Sequence, residues 1–309
     1  ADKIELDSPS LQLRTDDIPL YDPSNRGIVS CSQADWDLAV RIMAGGRLDR
    51  LGEYVQFSQG EVNETVQRGL GNLVTNGSRA KVVTRGANVC LYILRAASQG
   101  NDILLEVGRF LRDKDETTKA FHHRHPRVGV QESSPQNNFR RIIASLIPAG
   151  EFCNHKINYV PGPASKLPLE FVLALLNSKL ADWYFRLGST NAAVSHYQLH
   201  NLPCPVFADA RAPTDDRLRD AATAAVNAGK LDDAFAVLTP ALARPPFPLA
   251  VQDVLVELVR RIIAIEQARG EIARTERSAL APAAQPLQAR ISQMGTCFRA
   301  ADIIPNPGG

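Results

Sequence analysis

Apolar residues recur at helical spacing over Trp36, Leu38, Ala39, Ile42 and Met43. They predict a helix that Ser32 caps and Gly45-Gly46 ends. Residues 51–58 concentrate β-favouring side chains (Tyr54, Val55, Phe57) ahead of a Gln59-Gly60 turn and read as a strand. The polar stretch 61–79, punctuated by Gly69, Gly71 and Gly77, reads as a loop. Residues 81–84 and 89–94 read as a strand pair joined by 85–88, and 127–131 as a short strand. Two β-rich runs, 139–147 and 151–160, are linked by Pro148-Ala149-Gly150, which suits a hairpin. Over 168–187, Phe171, Leu175, Leu176, Leu180, Trp183 and Tyr184 follow the helical period and predict one buried helix stopped by Gly188. Asn201-Leu202-Pro203-Cys204-Pro205 is expected to break regular structure.

Beyond residue 207 alanine dominates and strand patterns vanish. Helices are predicted over 215–228 and 249–278, the second with Val254, Leu255, Leu258, Ile262 and Ile265 on one face. The expected organisation is an entry segment (1–30), a mixed α/β domain with β-hairpins and a buried helix (31–207), and a helical C-terminal segment (208–309). The fold class is α+β.

Composition adds limits. The 309 residues are 44% hydrophobic and 22% charged, enough for a real core, and the net charge is only +2. Bulk electrostatics therefore do not announce a nucleic-acid binder, although one face can still be basic. Cys31, Cys90, Cys153, Cys204 and Cys297 are widely spaced and odd in number. A reducing, cytoplasmic compartment is expected. There is no apolar run of membrane-spanning length and no signal-peptide pattern, so no membrane partner is expected. The chain starts at Ala1 rather than Met and is read as an excised piece of a longer protein.

Four polar segments carry candidate chemistry. Gln59, Asn63 and Thr65 flank a Gly-Glu turn. Arg85 and Asn88 flank Gly-Ala. Gln131, Ser133, Gln136, Asn138, Arg140 and Arg141 crowd the run 131–141. Ser189, Thr190, Asn191, His196 and Gln198 follow the long helix. Gln and Asn can pair bidentately with adenine and Arg with guanine, while small hydroxyls suit phosphates. Each segment taken alone reads equally as ordinary solvated loop. His122, His123 and His125 lack a matching Cys or acid at ligand spacing, so they read as a solvated basic loop and no metal site is expected.

Three catalytic patterns fail on inspection. Gly69-Leu70-Gly71 lacks the last glycine of a dinucleotide fingerprint. The acids of 113–119 lie on a polar loop without a strand to fix a metal. Arg244-Pro245-Pro246-Phe247 imitates the Asn/Asp-Pro-Pro-aromatic motif of amino-methyltransferases but carries Arg at its first position.

In order, the segments are Gly-Glu-Val-Asn-Glu-Thr (60–65), Arg-Gly-Ala-Asn (85–88) and Gln-Glu-Ser-Ser (131–134). Leu-Leu-Asn-Ser-Lys-Leu (175–180) and a Leu-Pro-Cys-Pro stop (202–205) follow. This order resembles the TaqI-type C-terminal specificity domain of adenine-N6 DNA methyltransferases and single-chain (type IIG) restriction-modification enzymes. The likeness covers roughly residues 30–207. It implies a target-recognition domain for double-stranded DNA whose four polar segments form the DNA surface. It also makes the 169–186 helix scaffold, with Leu175, Leu176 and Trp183 in the core and Asn177 and Lys179 bracing.

A methyltransferase domain or subunit would be the partner, and S-adenosylmethionine would belong to that domain, with no cofactor in this chain. No catalytic residue is assigned. The catalytic part is expected upstream of Ala1, on another subunit, or lost. The alternatives are a separate specificity subunit that docks a methyltransferase, an enzyme acting on DNA in its own right (an endonuclease included), and a degenerate fragment.

Overall fold

The computed structural model describes residues 11–27, 29–95 and 102–270. The chain is α+β, with 44% helix, 18% strand, three small sheets and a long C-terminal helix. Residues 1–262 gather into one unit and 263–309 into a second, of which 263–270 are described and helical. Cys297 and residues 271–278 of the expected last helix lie outside the described residues.

The chain opens with α1 (Ile18–Tyr21), α2 (Gln33–Ala44), β1 (Leu48–Arg50), β2 (Ser58–Gln59) and α3 (Glu64–Gly69). Next come β3 (Leu73–Val74), β4 (Ala80–Thr84), β5 (Leu104–Glu106), α4 (Val107–Leu111) and β6 (Arg127–Gln131). β7 (Ala144–Ile147), β8 (Phe152–Cys153), β9 (Ile157–Pro161), α5 (Leu169–Leu176) and α6 (Lys179–Leu187) follow. The rest comprises α7 (His196–His200), β10 (Pro203–Pro205), α8 (Asp215–Asn227), α9 (Leu231–Leu238) and α10 over residues 249–270.

The central sheet runs β2-β9-β6-β7, all antiparallel. Its middle strands are buried on both faces, down to Arg127 and Asn158. α5 packs against β6 and β7. Val89, Ile147, Cys153, Ile157 and Tyr159 form one core cluster against the sheet. A second sheet, β3-β5-β4-β8, covers a core of Val62, Val83, Leu105, Phe110, Phe121 and Phe152. β1 and β10 make the third.

The helices after residue 207 close their own core of Ala222, Leu238, Val251 and Val254, with Phe207 packed against it. They attach to the sheet domain through Phe207, which meets Phe171 edge-on at 5.1 Å, and through the Arg260–Glu170 pair at 2.9 Å. Arg47 adds hydrogen bonds to the carbonyls of Leu242 and Ala243.

Several expectations are corrected. Residues 51–58 form a 3-10 turn at Leu51–Glu53, an isolated antiparallel bridge at Val55–Ser165 and the start of the short β2, not a continuous strand. The expected 61–79 loop contains α3 and β3. β4 does not pair with 89–94; it lies between β5 and β8, while 89–94 makes only the bridges Val89–Leu94 and Tyr92–Ser145. The 139–160 hairpin is absent: β6 separates β7 from β9, and β8 joins the other sheet.

The single helix over 168–187 is two, broken at Asn177-Ser178, with Ser178 Oγ capping α6 through Ala181 N at 3.0 Å. Leu175 and Trp183 are only half-buried and Leu180 is exposed, unlike fully buried Leu176. Residues 203–205, expected to be irregular, pair with β1, the prolines flanking Cys204. α9 has no counterpart among the elements that the pattern predicts. The predicted α2, with Ser32 at its cap, and α8 form as read.

Candidate functional site

The antiparallel register of the central sheet sends its connecting loops to one end. β6 finishes at Gln131 opposite Ile157, where β9 begins. β2 finishes at Gln59 opposite Asn158. β7 begins at Ala144 opposite Val130. The loop leaving β2, the loop from β6 to β7 and the turn entering β9 therefore lie together.

The 189–198 segment joins them through backbone bonds. Ser134 N donates to the Ala192 carbonyl and Val194 N to the Glu132 carbonyl, both at 2.8 Å. Asn158 Nδ2 donates to the Val194 carbonyl at 2.6 Å. The 85–88 turn is tied in by Gln131, whose amide donates to the Val89 carbonyl at 2.8 Å. All four polar segments singled out in the sequence thus meet at one sheet end.

The first pair of segments surrounds the turn at 154–156. Gly60 is required by close approach, since a Cβ there would lie 1.8 Å from the Asn154 carbonyl oxygen. Glu61 is consequently driven inward. Both its carboxylate oxygens accept from Arg127 Nη1 at 3.1 Å, and Oε1 accepts a third bond from Cys153 N at 3.1 Å. Both side chains are fully buried. Burial pushes the Glu61 carboxyl up against the pull of Arg127. This pair fastens the β2 loop to β6 and is scaffold.

Asn63 caps α3 through Val66 N at 3.2 Å, and Asn88 Oδ1 accepts from Arg85 N at 2.7 Å. Both act as braces. Gln59, Thr65 and Arg85 remain on the surface, Gln59 donating to the His155 carbonyl at 2.9 Å and Arg85 3.4 Å from Glu64.

The second pair is 131–141 beside 189–198. Ser134 Oγ donates to the Arg140 carbonyl at 3.0 Å and accepts from Asn138 Nδ2 at 3.2 Å, closing the loop on itself. Arg186 holds it from below, donating to the carbonyls of Gln136 and Asn138 at 3.0 and 2.9 Å. Arg140 donates to the carbonyls of Asn177 and Ser178 at 2.7 and 2.6 Å. Arg141 is 1% exposed and donates through Nη2 to the Asn191 carbonyl at 2.7 Å. Of the three arginines expected at the DNA surface, Arg140 and Arg141 therefore have their guanidinium groups turned inward, and Arg85 alone stays exposed.

His196 Nε2 sits 2.8 Å from Asn158 Oδ1, and burial lowers its pKa from the ordinary histidine value. Gln198 donates to the Gly188 carbonyl at 3.2 Å and Asn191 Oδ1 accepts from Ala193 N at 2.9 Å. Ser133, Gln136 and Thr190 are exposed, with no side-chain hydrogen bond to any described residue, whereas Ser189 is buried.

Two surface residues of this face lie outside the set that sequence reasoning selects. Asn137 is exposed in the middle of the loop, and Phe139 is 73% exposed beside it. The pattern places Phe139 in a strand, so its outward position carries no signal. The histidine run is not a solvated loop. His123 stacks on Phe152 at 4.3 Å and His122 Nδ1 lies 3.2 Å from Tyr159 Oη, while His125 stays exposed.

An open cleft of about 400 Å³ separates the two loops, lined by Ser30, Gln136, Arg141, Arg186, Ser189 and Thr190. Asp182 lies behind it. Burial raises the Asp182 pKa, but hydrogen bonds from Ile142 N, Arg186 and Arg141 N together leave it below the usual carboxylate range. Among the described residues no group of three His, Cys, Asp or Glu is placed to hold a metal ion, and no helix is long and apolar enough to cross a membrane. No protein-family model matches the chain, and no curated protein is significantly similar to it.

Proposed function

We propose that this chain is a sequence-specific recognition module for double-stranded DNA, working with a methyltransferase domain or subunit that supplies S-adenosylmethionine chemistry. The observation that carries this reading is the convergence of the four polar segments at one end of the central sheet. The backbones of 131–141 and 189–198 are pinned by bonds from Arg141 and Arg186, and by the closure at Ser134. A preorganised loop presenting amides and hydroxyls is what base-edge readout needs. Ser133, Gln136 and Asn137 then supply direct readout, and Phe139 contacts base or sugar faces. Arg85 and Lys156, exposed around the 154–156 turn and ion-paired with Glu64 and Glu132, would hold phosphates. The likeness to the TaqI-type specificity domain points the same way.

The test is fluorescence anisotropy of the full chain with labelled duplexes, before and after Gln136→Ala and Asn137→Ala. The reading expects duplex binding whose preferred sequence shifts in these variants. Unchanged preference would move readout away from this loop.

A second reading, a separate specificity subunit that docks its methyltransferase, is favoured by one observation. α9 exposes Leu231 and Phe235 at 60% and 65%. Copurification of a methyltransferase, lost in Leu231→Asp with Phe235→Asp, separates it from a fused arrangement.

A further inference from the structure

We propose that the cleft between the 133–141 and 189–193 loops is a phosphate-oxyanion site. Assigning its occupant as a backbone phosphodiester of bound DNA rests on the reading above; the oxyanion chemistry does not.

Arg141 carries an unbalanced charge. Arg141 is buried yet pairs with no carboxylate among the described residues. Arginine stays protonated in proteins, so burial cannot be relieved by losing the proton. The nearest acid, Asp182, gives its oxygens to Arg186 Nε at 2.9 Å and to the backbone N–H groups of Arg141 and Ile142 at 2.6 and 2.9 Å. None reaches the Arg141 guanidinium. That group is held by the carbonyls of Asn191 and Ala193 and by the Phe185 ring at 5.2 Å. Arg127, the other fully buried arginine, shows the usual solution, a carboxylate at 3.1 Å.

Donor capacity is also left over. Arg141 Nε and Ser189 Oγ are buried without a hydrogen-bond partner, and Arg141 Nη1 makes no bond to a described residue. Buried donors normally find acceptors. Both residues line the cleft, whose every lining side chain is polar and none acidic. Two arginines and three hydroxyl residues lining one opening suit a tetrahedral oxyanion. Because Arg141 is bonded to one loop and Arg186 to the other, an anion held by both would lock the loops together. A shift of the Ser189 side chain about its Cα–Cβ bond would bring its hydroxyl to the ligand.

The full chain is tested with inorganic phosphate and with labelled random-sequence duplex. Arg141→Gln removes the charge. Thr190→Glu, on the exposed rim, places a carboxylate in the cleft without disturbing the core, so a folded variant is assured even if Arg141→Gln is unstable. Phosphate should raise the wild-type Tm beyond sodium chloride at equal ionic strength, and this gain should vanish in both variants. Duplex affinity should fall roughly ten-fold or more, alike for all sequences, with the slope of log K against log salt shallower by about one.

A phosphate gain with no duplex binding keeps the oxyanion site, with free phosphate as its ligand, and sinks the DNA reading. Duplex binding that both variants leave unchanged in affinity and slope keeps the DNA reading and overturns the phosphate site. A phosphate gain of equal size in wild type and Thr190→Glu also overturns it.

Discussion

Asn177 is bonded twice to the backbone of Ala144: its Oδ1 accepts the Ala144 N–H and its Nδ2 donates to the Ala144 carbonyl, both at 3.0 Å. A side chain at the break between α5 and α6 thus imitates a strand partner along β7, just where the 131–143 loop enters the sheet. The recognition loop is anchored by the scaffold helix pair through this clamp and through Arg140 on the carbonyls of Asn177 and Ser178.

Asn177→Ala leaves the buried Ala144 N–H without its partner, while the Ala144 carbonyl keeps the Tyr92 N–H at 2.9 Å. One orphaned buried group costs about 1–3 kcal/mol, and the variant should lose stability in that range in urea unfolding. Asn177→Asp would bury a carboxylate oxygen against the Ala144 carbonyl and should cost at least as much as Asn177→Ala. A loss under half a kcal/mol for Asn177→Ala would show that the clamp is incidental.

Gly60→Ala should exceed the common range of about 0.5–3 kcal/mol for point changes, because its Cβ would meet a backbone oxygen at 1.8 Å. Gly71 provides the contrast. Its φ is +68° but no atom lies within 4 Å of where a Cβ would sit, so Gly71→Ala carries only backbone strain of about 1 kcal/mol. Equal unfolding midpoints for the two variants would contradict this assignment.

Asp182 sets part of the acid stability. Its folded-state pKa lies below the ordinary carboxylate value, so the unfolded chain binds its proton first as pH falls. The stabilisation is fully present above the unfolded value, about pH 4, and is lost as pH drops through the lower folded value. Asp182→Asn should be less stable at pH 7 and show a shallower decline below pH 4. An acid limb parallel to wild type would assign the titration elsewhere.

Half-buried His122, His196 and His200 titrate at higher pH but with the same sign. Burial lowers each pKa, so the unfolded state takes up protons first below about pH 6.5. Stability should be full above that value and decline as pH falls beneath it. His196→Gln and His200→Gln together should reduce the slope between pH 5 and 6.5 in the same unfolding series.

Phe139→Ala should change stability by less than about 0.5 kcal/mol, since the ring is exposed. Duplex binding should weaken by about 1–3 kcal/mol if the ring stacks on a base. Unchanged anisotropy titrations would remove Phe139 from the interface.

Much of the fold is legible where local signals agree. Ser32 and the Trp36–Ala39 spacing mark α2, and runs of valine mark β4 and β6. α3 is hidden because its apolar residues, Val66 and Leu70, face outward while Gln67 is buried. The α5–α6 break is hidden because Leu176 and Leu180 keep helical spacing across Asn177-Ser178. Strand partnership is illegible throughout: nothing local says that β8 leaves β9 for β4. For the candidate site, the polar segments are visible as residue types. The inward turn of Arg127, Arg140 and Arg141 is not, because it depends on carbonyls and a carboxylate distant in sequence.

The most direct test of the recognition account is selection from a pool of random duplexes by the full chain, alone and with a cognate methyltransferase partner. The account predicts an enriched short sequence whose preference is altered by Gln136→Ala or Asn137→Ala. Recovery of the pool without enrichment in both arms would contradict it.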